Sequence, residues 1–516
     1  MAKDKDLEDF GIATAREGGI FLSGKAVNAF ISLALIIFLA RYLQPADYGI
    51  YTIVIAFSTF LGMGGNFGIA TSIRRYLPVE KSIDGKGNIV ASGFVVSALI
   101  SLGLAIVGIM LSGSIATYAY GNASMGFAIE IASMLVFISV LLNMSIATLV
   151  AMRRSRKATQ TVILYSSAEL VFTVGLVMLG YGINGAVAAL AIGSVIGFAY
   201  AFGVIAKEIG IARLHATLPT MKTMTSFSIP VFVSNASQNG VLSFGTLIAG
   251  MFASSYLIGN YGIAQKFGKF VELIIVSSTF VLLPAFSTAA SSDRFSKKMQ
   301  QVYSNSLYYS MLVLFPIIAY VAATCMPLVR LLFSSAYSFA PLYLAIISIG
   351  TAIGIIGSYA SMILLSYGAS KRFMAYQLTV MAIELAAMLA LIPFFGVMGL
   401  IIALFAIGPA AMDIVFIKEL RKRFSIHQEY GAIARLSLSC IVMGLLLFLV
   451  SAALNERLIA IAANAVIAIL IYPLLLARLG AIKKSKIEFI SKTGNTLPRF
   501  VSRIIGLYVK YSKIFI

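Results

Sequence analysis

Three lysines lie inside otherwise apolar stretches of this chain: Lys25, Lys266 and Lys269. An ammonium group at the centre of a membrane helix costs about 2.5–3.5 kcal/mol on insertion scales, so it faces a partner or a hydrated cavity. At about 1.5 Å per helical residue, Lys25 sits about 11 Å inside the nearer boundary, and Lys266 and Lys269 about 12–16 Å inside theirs. The last two are three residues apart and share a helix face. Cations so placed suit an anionic ligand. Two plainer roles stay open: Glu272, three residues beyond Lys269, neutralises it, or Lys25 snorkels to the interface.

Other polar groups sit in the same apolar background. Glu130, Glu169 and Glu384 are membrane-embedded carboxyls, candidates for proton or sodium coupling and equally for helix packing. The stretch from 226 to 246 carries Ser226, Ser228, Ser234, Asn235, Ser237, Gln238, Asn239, Ser243 and Thr246, with Pro230 interrupting its backbone bonding. Such a helix cannot face lipid all round, so it is expected to line a hydrated cavity; hydrogen bonds in a dry helix interface are the alternative. Ser23 and Asn28 repeat that face weakly near Lys25. The substrate-binding candidates are therefore Lys25, Lys266, Lys269, Asn28, Asn235 and Gln238.

No enzyme signature accompanies them. His215 and His427 fall in loops without metal or triad spacing, and the glycines from Gly62 to Gly68 lie within a span, where they serve helix packing. No cofactor or metal is expected. Cys325 and Cys440 lie in apolar stretches, which argues against a disulfide framework.

The elements that must position these residues are membrane helices. Hydrophobic residues make up 60% of the chain and charged residues 11%, with a mean hydropathy of +0.97. Apolar runs of about 20 residues recur, each long enough for a hydrocarbon core of about 30 Å. The fold class is all-α and polytopic, with about 14 transmembrane helices. The net charge of +20 would suggest nucleic acid in a soluble protein. Here the basic residues flank spans, set orientation and meet anionic lipid, so nucleic acid is excluded as a partner.

Sorting those charges threads the chain. Arg74, Arg75, Lys81 and Lys86; Arg153, Arg154, Arg156 and Lys157; Lys207, Arg213 and Lys222; Arg294, Lys297 and Lys298; Lys371 and Arg372; and Lys418 to Arg423 with Arg435 occupy alternate gaps, while the loop from Ser112 to Ser124 has no charge. Basic loops stay inside, so both termini are expected in the cytoplasm of a cell-membrane protein. Met1 to Glu17 reads as a retained polar tail and not as a signal peptide.

The chain also repeats itself. Tyr48-Gly49-Ile50 returns as Tyr261-Gly262-Ile263, Gly182-Ile183-Asn184-Gly185 as Gly396-Val397-Met398-Gly399, and Ala191-Ile192-Gly193 as Ala406-Ile407-Gly408, each about 213–215 residues later. Six spans per unit give two parallel repeats with a substrate path between them, followed by two further helices. The expected organisation is a tail at 1–17, six-helix halves at 18–222 and 223–430, two helices at 431–478 and a basic interfacial tail at 479–516. Lys25 then belongs to one half and Lys266 and Lys269 to the other, able to face one central cavity.

The segment Ala40-Arg41-Tyr42-Leu43-Gln44-Pro45-Ala46-Asp47-Tyr48-Gly49-Ile50-Tyr51 resembles the first-loop signature of polysaccharide exporters and O-antigen flippases. These belong to the multidrug/oligosaccharidyl-lipid/polysaccharide (MOP) superfamily. Gly182-Ile183-Asn184-Gly185-Ala186 and Ser226-Phe227-Ser228-Ile229-Pro230 resemble the family's turn before span six and its start of span seven. The resemblance implies a V-shaped bundle like that of the superfamily's MATE exporters. It also implies a non-enzymatic flippase that moves a phosphate- or pyrophosphate-linked lipid oligosaccharide from the cytoplasmic to the outer leaflet by alternating access, for cell-surface polysaccharide biosynthesis. Cavity basic residues of such flippases hold the phosphates, and Lys25, Lys266 and Lys269 fall in suitable spans. Many relatives carry an acidic residue in span seven, near Gly245 here, and this chain departs from them. The implied partners are the lipid-linked oligosaccharide, membrane lipids and polysaccharide biosynthesis enzymes. A cation-coupled multidrug exporter and a non-transporting component of a polysaccharide synthase complex are the alternatives.

Overall fold

The computed structural model describes residues 2–235, 240–269, 295–367, 369–454 and 458–481. They form helices and short connections, and ten of the described helical segments are long and apolar enough to cross a membrane. The chain divides into two compact units, Met1–Gly262 and Ile263–Ile516.

The first unit opens with α1 (Ala2–Asn66), which is one helix only by hydrogen-bond continuity. Its apolar part, Val27–Asn66, has 40 residues. That is about 60 Å of helix, twice a hydrocarbon core. The helix breaks at Gln44, whose φ is 62° and ψ 169°. Pro45 explains the break: it has no N–H to give to the carbonyl of Arg41. Gln44 repairs the loss, donating from Nε2 to Arg41 O at 2.9 Å. The chain continues through α2 (Ile69–Tyr76), α3 (Ile83–Ser114), α4 (Met125–Ala151), α5 (Ser155–Leu176) and α6 (Gly182–Ile209). It ends on α7 (Leu218–Asn235), α8 (Val241–Phe252) and the start of α9 (255–269).

Packing here inverts the soluble pattern. Along α3 the buried stripe is small, with Ser97, Ser101, Ala105, Gly108 and Ser112, while Leu99, Leu102, Ile106 and Met110 are exposed. Lipid tails are as apolar as leucine, so small residues that let backbones approach make the helix contacts. The same device fixes the turn after Pro45. A Cβ at Gly49 would overlap Ser255 O, and one at Gly259 would overlap Pro45 O, so these two backbones touch directly. Tyr48 and Tyr261 are buried beside that contact.

The span-seven helices pack onto the same unit. Ser72 Oγ of α2 lies 2.7 Å from Ser228 Oγ and donates to Met224 O at 3.1 Å, and Phe67 stacks on Phe232 with centroids 4.8 Å apart. Farther along, Tyr120 donates to Leu247 O at 3.3 Å.

The second unit comprises the rest of α9, α10 (Phe295–Ala323), α11 (Cys325–Leu332), α12 (Ala340–Ile353), α13 (Ile355–Ser366), α14 (Ser370–Phe395), α15 (Val397–Ile402), α16 (Gly408–Phe424), α17 (Tyr430–Ala453) and α18 (Ile459–Arg478). Its core gathers Tyr303, Met311, Tyr359, Phe416, Met443 and Leu476. The last helix docks on α10 through tyrosines: Tyr308 donates to Ala481 O, just past α18, and Tyr472 to Leu312 O, both at 2.8 Å, and Tyr320 to Ile461 O at 3.0 Å.

Two corners separated by the repeat distance share one backbone geometry. Gly182 has φ 52° and ψ −128°, and Gly396 has φ 54° and ψ −127°. Only glycine adopts that region without strain, which accounts for the recurring Gly-x-x-Gly motif.

Candidate functional site

The described part of α9 carries two of the three lysines. Lys266 is half-buried and Lys269, one turn on, is exposed. Gly268 between them is buried, and a Cβ there would press against Ile347 of α12 at 2.8 Å. Packing at Gly268 therefore sets the rotation of α9. Lys25 lies in the first unit on α1, with its side chain outside the described part, and so does that of Asn235 at the end of α7. Gln238 and Glu272 lie outside the described residues.

Asn28 has a definite place. Its Oδ1 accepts a short hydrogen bond from Ser166 Oγ, which ties α1 to α5. One turn on from Ser166 on the same helix stands Glu169. The backbone and Cβ of Glu169 pack on Gly193 of α6, where a Cβ would come within 3.1–3.2 Å of them. Glu384 on α14 repeats the arrangement in the second unit: a Cβ at Gly408 would overlap its Oε1. Glu169 and Glu384 stand about 215 residues apart, and so do Gly193 and Gly408. Both residues thus pack on glycines at matching spacing, Glu169 through its backbone and Cβ and Glu384 through its carboxyl. Glu130 has a different setting, accepting from Ser112 Oγ at 3.2 Å between α3 and α4.

Among the described side chains of the polar face expected to line a hydrated cavity, Ser228 and Thr246 are taken up by packing. Ser228 is fully buried and donates to Met224 O at 2.8 Å, and Thr246 donates to Leu242 O at 2.9 Å. Ser226 is exposed and donates to Thr223 O. Returning the hydroxyl to the helix's own carbonyl satisfies it without water.

Two polar arrangements escaped the sequence reading. The helical run α12–α13 is broken at Gly354, and Asp413 of α16 accepts from Gly357 N at 2.6 Å in the first turn of the resumed helix. That N–H has no intrahelical partner, so the carboxylate caps it across the helix interface. The available signal was a lone Asp in one span and a glycine pair in another. The second arrangement centres on Glu419, hidden in a run of basic residues and read only as part of the charge sorting. Among the described residues no group of three or more His, Cys, Asp or Glu gathers as a metal site would require.

Comparison with known proteins adds the following. A family model described as "Polysaccharide biosynthesis protein" matches residues 38–340. A solved structure described as "Lipid II flippase MurJ, inward closed conformation" is similar with a TM-score of 0.75 and 17% identity, over 89% of this chain and 98% of that one. An inward-facing multidrug resistance MATE family transporter of the MOP superfamily gives a TM-score of 0.63 and 18% identity, over 77% and 94%. A MOP superfamily transporter from Pyrococcus furiosus gives 0.51 and 17%, over 80% and 95%. No curated protein matches the chain. At these identities the likeness to solved structures concerns the fold, which is that of MurJ and the MATE transporters.

Proposed function

Since the chain belongs to the polysaccharide biosynthesis protein family, we propose that it is a flippase that carries a phosphate- or pyrophosphate-linked lipid oligosaccharide from the cytoplasmic to the outer leaflet by alternating access. The observation that carries this reading is the pair Lys266 and Lys269, half-buried and exposed on a helix of a MurJ- and MATE-like fold. With Lys25 they hold the headgroup phosphates, while the lipid chain stays in the bilayer and no covalent chemistry occurs. Asn28, Asn235 and Gln238 are the polar neighbours for the glycan.

Fourteen spans in two parallel six-helix halves (18–222 and 223–430), with two further helices and both termini in the cytoplasm, complete the proposal. The shared Gly182 and Gly396 geometry supports the repeat. Glu169 and Glu384 are the ion-coupling pair, one per half, and Glu130 is a third candidate. Their support is packing on glycines at matching spacing, Gly193 and Gly408.

The test uses purified protein in liposomes with a fluorescent lipid-linked oligosaccharide. Flipping is expected, and Lys25→Gln, Lys266→Gln and Lys269→Gln should each abolish it with unchanged reconstitution. Absence of flipping by well-folded wild type would overturn the reading. Normal flipping by all three variants would make the lysines packing or snorkelling residues.

A further inference from the structure

Three side chains from two helices of the second unit converge on one buried carboxylate. Glu419, near the end of α16, is 7% exposed. Tyr376 of α14 donates its O–H to Glu419 Oε2 at 2.8 Å. Arg423 Nε lies 2.5 Å from Glu419 Oε1, and Arg372 Nη1, from the first turn of α14, lies 3.7 Å from it. Two guanidinium groups thus share a single carboxylate, so one positive charge is uncompensated. Their side chains stay 47% and 39% exposed although the carboxylate beneath is covered. A guanidinium has five N–H donors, and the shared carboxylate engages only part of the two sets. Lys371 and Lys422, adjacent in sequence to the two arginines, are also exposed.

Packing of the six-helix repeat does not demand this cluster. At the distance that relates Glu169 to Glu384, about 215 residues, the first half has Val204, Lys157 and Glu208 where the second has Glu419, Arg372 and Arg423. The cluster also sits at the ends of two membrane helices, on the side to which the charge sorting assigns the cytoplasm, at headgroup depth.

We propose that Arg372 and Arg423, oriented by Glu419 and Tyr376, bind the phosphate of an anionic phospholipid headgroup at the cytoplasmic membrane surface. The planar fork of arginine matches phosphate oxygens bidentately, which a lysine cannot reproduce. The cytoplasmic leaflet supplies anionic headgroups at that depth. Ion pairing with Glu419 already draws both arginines to one place, so less side-chain freedom is lost on binding. This proposal is independent of the transport reading, since its test involves no flipping.

The experiment follows thermal unfolding of the purified full-length protein in nanodiscs of phosphatidylcholine alone and with added phosphatidylglycerol. Phosphatidylglycerol should raise the midpoint of wild type. The pair Arg372→Gln/Arg423→Gln should melt lower in phosphatidylcholine, because buried Glu419 loses both partners, and should show no increment on adding phosphatidylglycerol. Should that pair fail to fold, Arg372→Lys/Arg423→Lys keeps both charges, and it should lose most of the increment because the bidentate fork is gone. Glu419→Gln, which removes the carboxylate that gathers the two arginines, should diminish it. An undiminished increment in the arginine variants overturns the site. An equal rise with inorganic phosphate in phosphatidylcholine overturns its assignment to lipid.

Discussion

A carboxylate carried into a helix bundle has to find donors, and Asp413 finds one in the backbone of a neighbouring span. The break at Gly354 leaves the first N–H groups of α13 without intrahelical acceptors, and Asp413 takes that of Gly357. Removing the acceptor exposes the usual asymmetry of hydrogen bonds, in which an unsatisfied buried group costs about 1–3 kcal/mol. Asp413→Ala should therefore lower the thermal midpoint in detergent, while Asp413→Asn, which keeps an amide oxygen as acceptor, should stay close to wild type. Equal loss in both would show that the charge matters and the cap does not. Glu169 and Glu384 stand 215 residues apart, each beside a glycine 24 residues on, which Asp413 does not share. They are the residues to test for coupling.

Among the elements, the turn between the two arms of α1 is the most constrained. Its motif has a physical reading: Pro45 breaks the helix, Gln44 caps the freed Arg41 carbonyl, and Gly49 lets the returning arm meet α9 backbone to backbone. Alanine at Gly49 or Gly259 places a methyl group where a carbonyl oxygen stands. Overpacking of ordinary side chains costs about 1–3 kcal/mol, and a backbone neighbour cannot rotate away, so both variants should fall at or above that range. Gly103→Ala is the control, since a Cβ there meets nothing within 4 Å. Its midpoint should match or exceed wild type, because alanine is the better helix former. Yields and midpoints of the three variants decide the matter, and a mild Gly49→Ala would remove the backbone contact as the reason for the motif.

At the scale of the whole molecule, the charge sorting amounts to a claim about which loops cross the membrane. In a background with Cys325 and Cys440 replaced by Ala, a cysteine at Ser124 should react with a membrane-impermeant thiol reagent on intact cells. One at Lys86 should react only after permeabilisation. The reverse pattern would invert the threading and with it the direction of transport. The family match spans residues 38–340, most of the first unit and part of the second. The fold likeness extends over 89% of the chain.

Sequence alone determined that this is a helical membrane protein with basic and neutral loops alternating. Run length and charge bias answer to the bilayer's thickness and polarity, and neither needs a partner helix. Sequence also marked the two corners at Gly182 and Gly396, because a glycine at φ near 52–54° has no substitute. Only the tertiary structure decided which faces meet. Lipid and helix interior are both apolar, so hydropathy cannot tell the buried Ser97 and Ser101 from a polar stripe facing water, nor the exposed Leu99 from core. For the same reason hydropathy cannot place Ser228, which is closed against Ser72. The Asp413 cap and the Glu419 cluster each join helices far apart in the chain, and no local pattern marks a contact that packing alone creates.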